Sequence, residues 1–281
     1  MKCFGLFDIE GKIQVLDVGA SAIAEVPVYK RLMDMGLAHL NAFEGDERQI
    51  EAIKAAYSPN VSIFNNFLFD GTEQKVHLAS PASGMSSLLQ PDQLALNFFN
   101  GFPQFGQIHS VENVNTTKLD DVPELPDIDF VKMDIQGAEL TVLKNATARL
   151  SDCVAVQLEV SFVCLYENQP GFGEIDIWMR SQGFIPHRFL EVKRWSIAPT
   201  IFNGNFRVPG NQLLEADIVY IRNPIDPGNL TPEQLKKLAV ISHYCMKSFD
   251  LSSFLLLELE RREILPPGGR KVYMENVNSF V

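Results

Sequence analysis

The chain has few cysteines, and their spacing does not suggest a metal site. Only four of its 281 residues are cysteine, and no two of them form a CxxC pair. This pattern argues against a zinc site or a disulfide framework and favours ordinary thiols in a reducing compartment.

Positive charge is also scarce. The chain has 24 Lys and Arg residues against 35 Asp and Glu residues, for a formal net charge of -11. Attraction to nucleic acid phosphates or to anionic lipid needs clustered positive charge, so neither is an expected partner. A small-molecule or glycan partner fits this composition better.

Long apolar runs are absent as well. No stretch approaches the roughly 18 uncharged apolar residues of a membrane span. The amino-terminal segment carries Asp8 and Glu10 where a signal peptide would continue apolar. We therefore predict a cytoplasmic protein without a membrane span.

What the sequence does contain is an alternation of strand and helix patterns. Apolar strand-like runs occupy 13–20, 40–46, 60–69, 127–134, 153–162 and 216–223, and helical patterns occupy 26–36, 47–57, 137–150 and 174–184. A short hairpin is expected near Gly71 and "KVHLAS". This alternation predicts an α/β fold with a mostly parallel sheet and helices on both faces.

Carboxylates stand at or near the ends of four predicted strands. They are Asp17, Glu44, Asp134 and Glu159. In an open α/β sheet, ligands bind in the crevice beyond the carboxyl ends of the strands. A turn, a helix cap or a strand end would explain any one of them alone, but four at equivalent ends predict a ligand site.

The first of these loops favours a cofactor that bears a nucleoside but no phosphate. Small residues at Gly19 and Ala20 allow close backbone approach to a ligand, and Glu44 is placed to accept hydrogen bonds from a ribose diol. The dinucleotide fingerprint GxGxxG is absent, because "GASAIA" keeps only its first glycine. S-adenosylmethionine fits this loop, and a nicotinamide cofactor fits it less well.

A family resemblance supports that interpretation. From about Val15 to Arg222 the chain carries, in order, "VLDVGA", "AFEGDE", "SSLL", "TTKLDD", "DFVKMDIQGAELTVLKNA", "LEVSF", "LYENQPGFGEIDIWMRSQGF" and "ADIVYIR". In this order and spacing the segments resemble FkbM-type methyltransferases, and "VKMDIQGAE" is the most specific of them. The resemblance implies a class I, Rossmann-like methyltransferase fold with a mostly parallel seven-stranded sheet, its last strand antiparallel. It also implies S-adenosylmethionine as donor and a hydroxyl acceptor on a sugar, glycan or natural product.

The first loop departs from the family pattern, which leaves an alternative open. Ser21 stands where the family usually has asparagine, and Ile23 stands where it usually has glycine. A catalytically inactive methyltransferase-like binding or scaffold protein is therefore the second hypothesis.

Asp134 is the first candidate for a catalytic base. Glu159 is the second candidate, His109 and His187 are alternatives, and Glu139 is expected near the rim of the site. The three carboxylates also suit Mg²⁺ as an alternative role. The predicted catalytic residues are thus Asp134, Glu139 and Glu159, and the predicted cofactor-binding residues are Asp17, Gly19, Ala20, Ser21, Glu44, Ser87 and Asp134.

The end of the chain predicts a helical appendage. "TPEQ" has the pattern of a capped helix start, with Thr231 as N-cap and Gln234 at the capping-box position. We expect a methyltransferase domain at 1–225 and an appendage at 226–281, whose apolar second helix packs on the domain or on a second subunit. Upstream, the Phe-rich segment 96–107 is expected to be core or a lid that stacks on a sugar.

Overall fold

Strands and helices alternate along the computed structural model, which describes residues 3–20, 26–45 and 47–278. The strands are β1 (Ile13–Val18), β2 (Ala38–Phe43), β3 (Val61–Phe64), β4 (Phe67–Leu68), β5 (Glu73–Ala79), β6 (Ile108–Thr117), β7 (Phe130–Met133), β8 (Ala155–Ser161), β9 (Phe184–Trp195) and β10 (Gln212–Arg222). The helices are α1 (Lys30–Asp34), α2 (Glu47–Tyr57), α3 (Gln93–Phe98), α4 (Phe102–Phe105), α5 (Glu139–Lys144), α6 (Phe172–Ser181), α7 (Pro232–Tyr244), α8 (Phe249–Arg261) and α9 (Gly269–Asn278).

A seven-stranded sheet in the order β3-β2-β1-β7-β8-β10-β9 forms the centre of the molecule. The pairs among β3, β2, β1, β7 and β8 are parallel, whereas β10 is antiparallel to both of its neighbours. This topology confirms the class I methyltransferase fold that the resemblance implied, including the antiparallel last strand.

Helices cover both faces of the sheet. Successive side chains of a strand point to opposite faces, so each face presents apolar side chains that a helix can bury. On one face, Leu16 and Val18 of β1 belong to a buried cluster with residues of α5 and α6. On the other face, Ile13 and Val15 belong to a cluster with residues of α1, α2, α7 and α8. The expectation of helices on both faces is therefore confirmed.

A second, smaller sheet has the order β4-β6-β5. The hairpin expected near Gly71 is wrong, because β4 and β5 do not pair with each other. Both pair with β6, and β5 is antiparallel to it. The single strand expected at 60–69 is two strands, β3 and β4. Most side chains of β6 are exposed, so β6 lacks the apolar signal on which strand prediction depends.

Two other elements differ from the sequence prediction. The helix expected at 26–36 is only α1, because Pro27 disfavours helical geometry at Val26 and the chain turns at Gly36 with a φ of 70°. The edge strand β9 was not predicted at all, since its half-exposed surface is rich in charge. In the Phe-rich segment, Phe99 and Phe102 are buried and Phe102 packs edge-on against Trp195, as expected for core.

The carboxyl-terminal helices complete one face of the sheet. The capping box is confirmed, because the Thr231 hydroxyl accepts from the Gln234 amide at 3.1 Å and the Gln234 side chain accepts from the Thr231 amide at 2.9 Å. Residues of α7, α8 and α9 share one buried cluster with β1 and β7. The domain boundary at 225/226 stays a prediction. No helix in the described ranges is both long and apolar enough to cross a membrane.

Candidate active site

The loops after β1 and β2 are tied to each other. The amides of Gly19 and Ala20 both donate to the carbonyl oxygen of Phe43, at 3.1 and 3.3 Å. Glu44 follows Phe43 directly, so its backbone begins beside this turn. The structure therefore brings together Gly19, Ala20 and Glu44, three of the predicted cofactor-binding residues.

The loop after β7 meets the same turn from the other side. The amide of Asp134 donates to the carbonyl oxygen of Val18 at 3.1 Å. Gly19 has a φ of 78°, and a Cβ atom on it would lie 2.2 Å from the Asp134 carbonyl oxygen. The space beside Gly19 is thus filled by the protein backbone, whereas the sequence prediction assigned it to a ligand.

Asp17 is buried, with 3% of its surface exposed. Its carboxylate accepts hydrogen bonds from Tyr29 Oη at 2.5 Å and from Lys132 Nζ at 3.4 Å. Burial by itself would lower the pKa of Lys132, but the carboxylates of Asp17 and Asp134 outweigh that effect and raise it. Asp17 therefore has two protein partners that fix the end of β1.

Gln136 connects two of the three predicted catalytic carboxylates. Its Nε2 donates to Asp134 Oδ1 and to Glu159 Oε2, both at 2.9 Å. Its Oε1 accepts from the hydroxyl of Tyr166 at 3.0 Å. Asp134 itself is exposed at the carboxyl end of β7. Sequence reasoning missed Gln136 and Tyr166, although both lie within the family-like segments "VKMDIQGAE" and "LYENQPGFGE".

Lys193 of β9 extends this network across the sheet. Its Nζ lies 3.3 Å from Glu159 Oε1 and 2.8 Å from Glu215 Oε1. Burial, together with the neighbouring carboxylate of Asp134, raises the pKa of Glu159 well above its usual value. Burial by itself would lower the pKa of Lys193, but Glu215 and Glu159 outweigh it and raise that pKa. Lys193 escaped the sequence analysis because β9 was not recognised, and Glu215 escaped it because it precedes the strand expected at 216–223.

Glu139 lies beneath the Asp134 loop, and the expectation that it would be near the rim is wrong. Only 3% of its surface is exposed, and its Oε1 accepts from the amides of Ile135 at 3.0 Å and Gly137 at 3.2 Å. Burial raises the pKa of Glu139 to about 7. Its contacts fix the turn in which Gly137 has a φ of 103°, and its predicted catalytic role stays a prediction.

Ser87 contacts the same loop from the segment before α3. Its Oγ donates to the Gln136 carbonyl oxygen at 2.7 Å and accepts from the Leu89 amide at 2.9 Å. Ser21, also predicted to bind the cofactor, lies outside the described residues, as does Ile23.

The two histidine alternatives for the base lie elsewhere. His109 is exposed on β6. His187 Nε2 lies 2.9 Å from Ser248 Oγ, in the segment before α8. Asp134 and Glu159 share a hydrogen-bonding partner in Gln136, whereas neither histidine bonds to that glutamine.

The three loops fit a nucleoside cofactor without phosphates. Their described parts, 19–20, 44–45 and 134–137, contain no Lys or Arg to bind a pyrophosphate. Glu44 offers a carboxylate suited to a ribose diol, and the acidic surroundings suit a cationic group. Within the described ranges, no group of three or more His, Cys, Asp or Glu side chains is placed to hold a metal ion.

A comparison with protein families now assigns the chain. The model of the methyltransferase FkbM domain matches residues 17–186, which is more than half of the chain. The chain belongs to the FkbM methyltransferase family. It is an S-adenosylmethionine-dependent methyltransferase. The resemblance to this family in the sequence is thereby confirmed.

Solved structures with a similar chain path include methyltransferases. Magnesium protoporphyrin IX methyltransferase from Synechocystis, solved with bound S-adenosylmethionine, is 10% identical, with a TM-score of 0.37 over 75% of this chain and 71% of that chain. The Methanococcus jannaschii fibrillarin pre-rRNA processing protein is 14% identical, with a TM-score of 0.39 over 75% and 66%. An uncharacterized Listeria monocytogenes protein is 8% identical, with a TM-score of 0.38 over 94% and 92%. None of these likenesses assigns a substrate or a residue role to this FkbM protein. A search of the curated proteins found no match to the chain.

Proposed function

We propose that this FkbM methyltransferase methylates a hydroxyl oxygen of a sugar, a glycan or another hydroxylated small molecule. The observation that carries the proposal is the exposed carboxylate of Asp134, held by Gln136 in one hydrogen-bonded network with Glu159. The backbone of Asp134 packs against Gly19, whose amide donates to the Phe43 carbonyl oxygen just before Glu44, so the Asp134 loop adjoins the loops where the cofactor is expected to bind.

The chain's own residues divide the work of the reaction. S-adenosylmethionine, when bound, supplies an electrophilic methyl group on a sulfonium. Glu44 holds the ribose diol, and Gln136 fixes Asp134 toward the acceptor. Asp134 accepts the hydroxyl proton as the oxygen–carbon bond forms and the carbon–sulfur bond breaks. Because such a displacement is in line, much of the acceleration comes from positioning the acceptor, and a base of ordinary strength suffices.

The charge of the site supports an uncharged or cationic acceptor. Asp17, Asp134, Glu159 and Glu215 contribute four carboxyl groups, against which Lys132 and Lys193 supply two ammonium groups. A phosphate or carboxylate on the acceptor would be repelled, whereas a hydroxyl group donates readily to these oxygens.

The test compares Asp134→Asn with Asp127→Asn. Both change an exposed aspartate, but Asp127 precedes β7 at the opposite end of the strand. Transfer of a labelled methyl group is measured on a panel of sugars, glycosides and hydroxylated natural products, alongside calorimetric titration of S-adenosylmethionine. In Asp134→Asn, turnover should fall by on the order of 10² or more while cofactor affinity changes little.

Three results count against this proposal or against the role of Asp134 in it. Near wild-type transfer by Asp134→Asn would remove Asp134 from catalysis. Cofactor binding by the wild type with no transfer to any member of the panel would favour a binding or scaffold role. A loss of about 1 kcal/mol in stability with intact transfer would show that Asp134 only caps the loop.

A further inference from the structure

A polar cavity lies next to the Asp134 loop and takes no part in the proposed chemistry. Its volume is about 440 Å³, and its walls come from β5, β6, the segment 88–90 and the turn 167–168. None of the cofactor-loop residues Gly19, Ala20, Glu44 and Asp134 lines it. The volume is within the range of roughly 300–1,000 Å³ that is usual for small-molecule sites.

Most of the lining side chains are hydrogen-bonding groups. Two of the ten lining residues are apolar, the adjacent Leu88 and Leu89. Gln90 Nε2 donates to Glu167 Oε1 at 2.9 Å, which fixes these two planar groups relative to each other. The other planar amides and carboxylates of the lining belong to Glu73, Gln74, Asn113 and Asn168.

The charge of the cavity disfavours an anionic ligand. Glu73 and Glu167 are its acidic residues, and Lys75 is its lysine. Amide and carboxylate groups in one wall suit neighbouring hydroxyls, because a hydroxyl both donates and accepts. The two leucines offer a small apolar surface for the C–H face of a sugar ring. A neutral saccharide therefore matches the lining.

His77 provides an independent sign of a missing partner. Its Nδ1 atom is buried and has no hydrogen-bond partner within the part of the chain that the structure describes. Buried polar atoms are nearly always paired, since an unpaired one loses its hydration without compensation. Because this atom has almost no exposed surface, a ligand hydroxyl would pair with it only after rotation of the His77 ring toward the cavity.

The cavity wall is bonded to the loop that carries Asp134. The backbones of His77 and Ser87 exchange hydrogen bonds of 2.8 and 3.1 Å. Ser87 Oγ in turn donates to the Gln136 carbonyl oxygen at 2.7 Å. On the other side, Leu89 Cδ1 lies 3.1 Å from the position of a Cβ atom on Gly137. A ligand in the cavity would therefore contact residues that hold the Asp134 loop in place.

We propose that this cavity is a subsite for a neutral saccharide unit of the acceptor. The inference rests on the proposed function, because it assigns a substrate class to the same reaction. Asn113, Asn168 and Gln74 bind the saccharide hydroxyls, His77 Nδ1 pairs with one of them, and the leucines contact the ring.

Saccharide binding tests the proposal without any need for turnover. Methyl glycosides of glucose, galactose, mannose and N-acetylglucosamine, and disaccharides of these sugars, are titrated into the full chain by calorimetry and ligand-observed NMR. Asn113→Ala removes one exposed amide from the lining, and His77→Phe keeps a ring without nitrogen atoms. The matched control is Asn115→Ala, which changes the same residue type on β6 outside the cavity lining.

We expect at least one glycoside to bind the wild type with a Kd at or below about 1 mM. Asn113→Ala and His77→Phe should weaken it about five- to tenfold, the equivalent of one hydrogen bond, and Asn115→Ala should leave it unchanged. Binding by none of the glycosides, or equal binding by wild type and both cavity variants, would overturn the subsite.

The same measurements separate the subsite from the proposed function. Saccharide binding that the cavity variants weaken, without methyl transfer to any saccharide, would support the subsite and count against the proposed function. Methyl transfer to a saccharide with the same KM in wild type and both cavity variants would support the function and overturn the subsite.

Discussion

Removal of the Gln136 side chain should impair catalysis without unfolding the protein. The substitution Gln136→Ala deletes both 2.9 Å hydrogen bonds, to Asp134 and to Glu159. It also deletes one acceptor of the Tyr166 hydroxyl, but that hydroxyl can still donate to the Met85 carbonyl oxygen, which lies 3.3 Å away. The loop stays supported from below, because Glu139 still accepts from two of its amides.

The size of the effect follows from the charges involved. A hydrogen bond to a charged group contributes about 1.5–3 kcal/mol. Asp134 is exposed, so its bond lies at the low end of that range, and part of the loss is recovered when water replaces the amide. Two such bonds give about 3 kcal/mol before this recovery, so a net loss of roughly 1.5–3 kcal/mol is expected, which corresponds to a decrease in turnover of roughly 10- to 10²-fold.

A second variant separates catalysis from stability. Gln136 has a φ of 55°, in the left-handed region that favours glycine. Gln136→Gly should therefore lose as much turnover as Gln136→Ala but be more stable by about 1 kcal/mol. The measurements are labelled-methyl transfer to an acceptor of the wild type and urea unfolding, with S-adenosylmethionine affinity as a control. Wild-type turnover in both variants would refute the network argument. A larger loss of turnover in the less stable variant would also refute it, because the loss would then follow stability and not the missing hydrogen bonds.

Two further predictions concern the neighbouring carboxylates. Glu44→Ala should weaken S-adenosylmethionine binding by roughly 1.5–3 kcal/mol, the range for hydrogen bonds to a charged group, and unchanged calorimetric affinity in the folded variant would remove Glu44 from the site. The pKa of Glu139 is about 7 in the folded protein against an ordinary value of 4.5, so the folded state keeps a proton that the unfolded state releases. Stability from this group is therefore present below about pH 4.5 and falls by about 3 kcal/mol as the pH rises to about 7. Glu139→Gln keeps an oxygen for the two amides, and its urea unfolding should show a correspondingly smaller loss over that window; an identical pH profile in wild type and variant would contradict the prediction.

The local sequence determined much of the sheet and the position of the loops that are predicted to bind the cofactor. The strands around Val15, Val131 and Val156 are mostly apolar and mostly buried, as strands covered on both faces should be, and they were predicted correctly. Loops after parallel strands gather at one edge of a sheet, so Gly19, Glu44 and Asp134 were expected near each other from their order alone.

The tertiary structure decided what each of these residues touches. Sequence spacing could not show that the Asp134 carbonyl oxygen fills the space beside Gly19, because the contact joins residues far apart in the chain. The sequence analysis also placed Glu139 at the rim of the site. In the structure its side chain folds back beneath the Asp134 loop and accepts from the Ile135 amide. Hydrophobic periodicity carries no signal for such polar contacts.

The network around Gln136 and the neighbouring cavity depended on elements with weak sequence patterns. Lys193 lies on β9 and Asn113 on β6, two strands whose exposed or charged side chains do not alternate clearly. A local pattern predicts an element only when one of its faces is buried, and it cannot predict which distant side chains that element brings together. The sequence by itself therefore determined the fold, the family and the loops at the carboxyl ends of the strands. Only the tertiary structure decided how the polar groups pair and which of them, like Nδ1 of His77, lack a partner within the described chain.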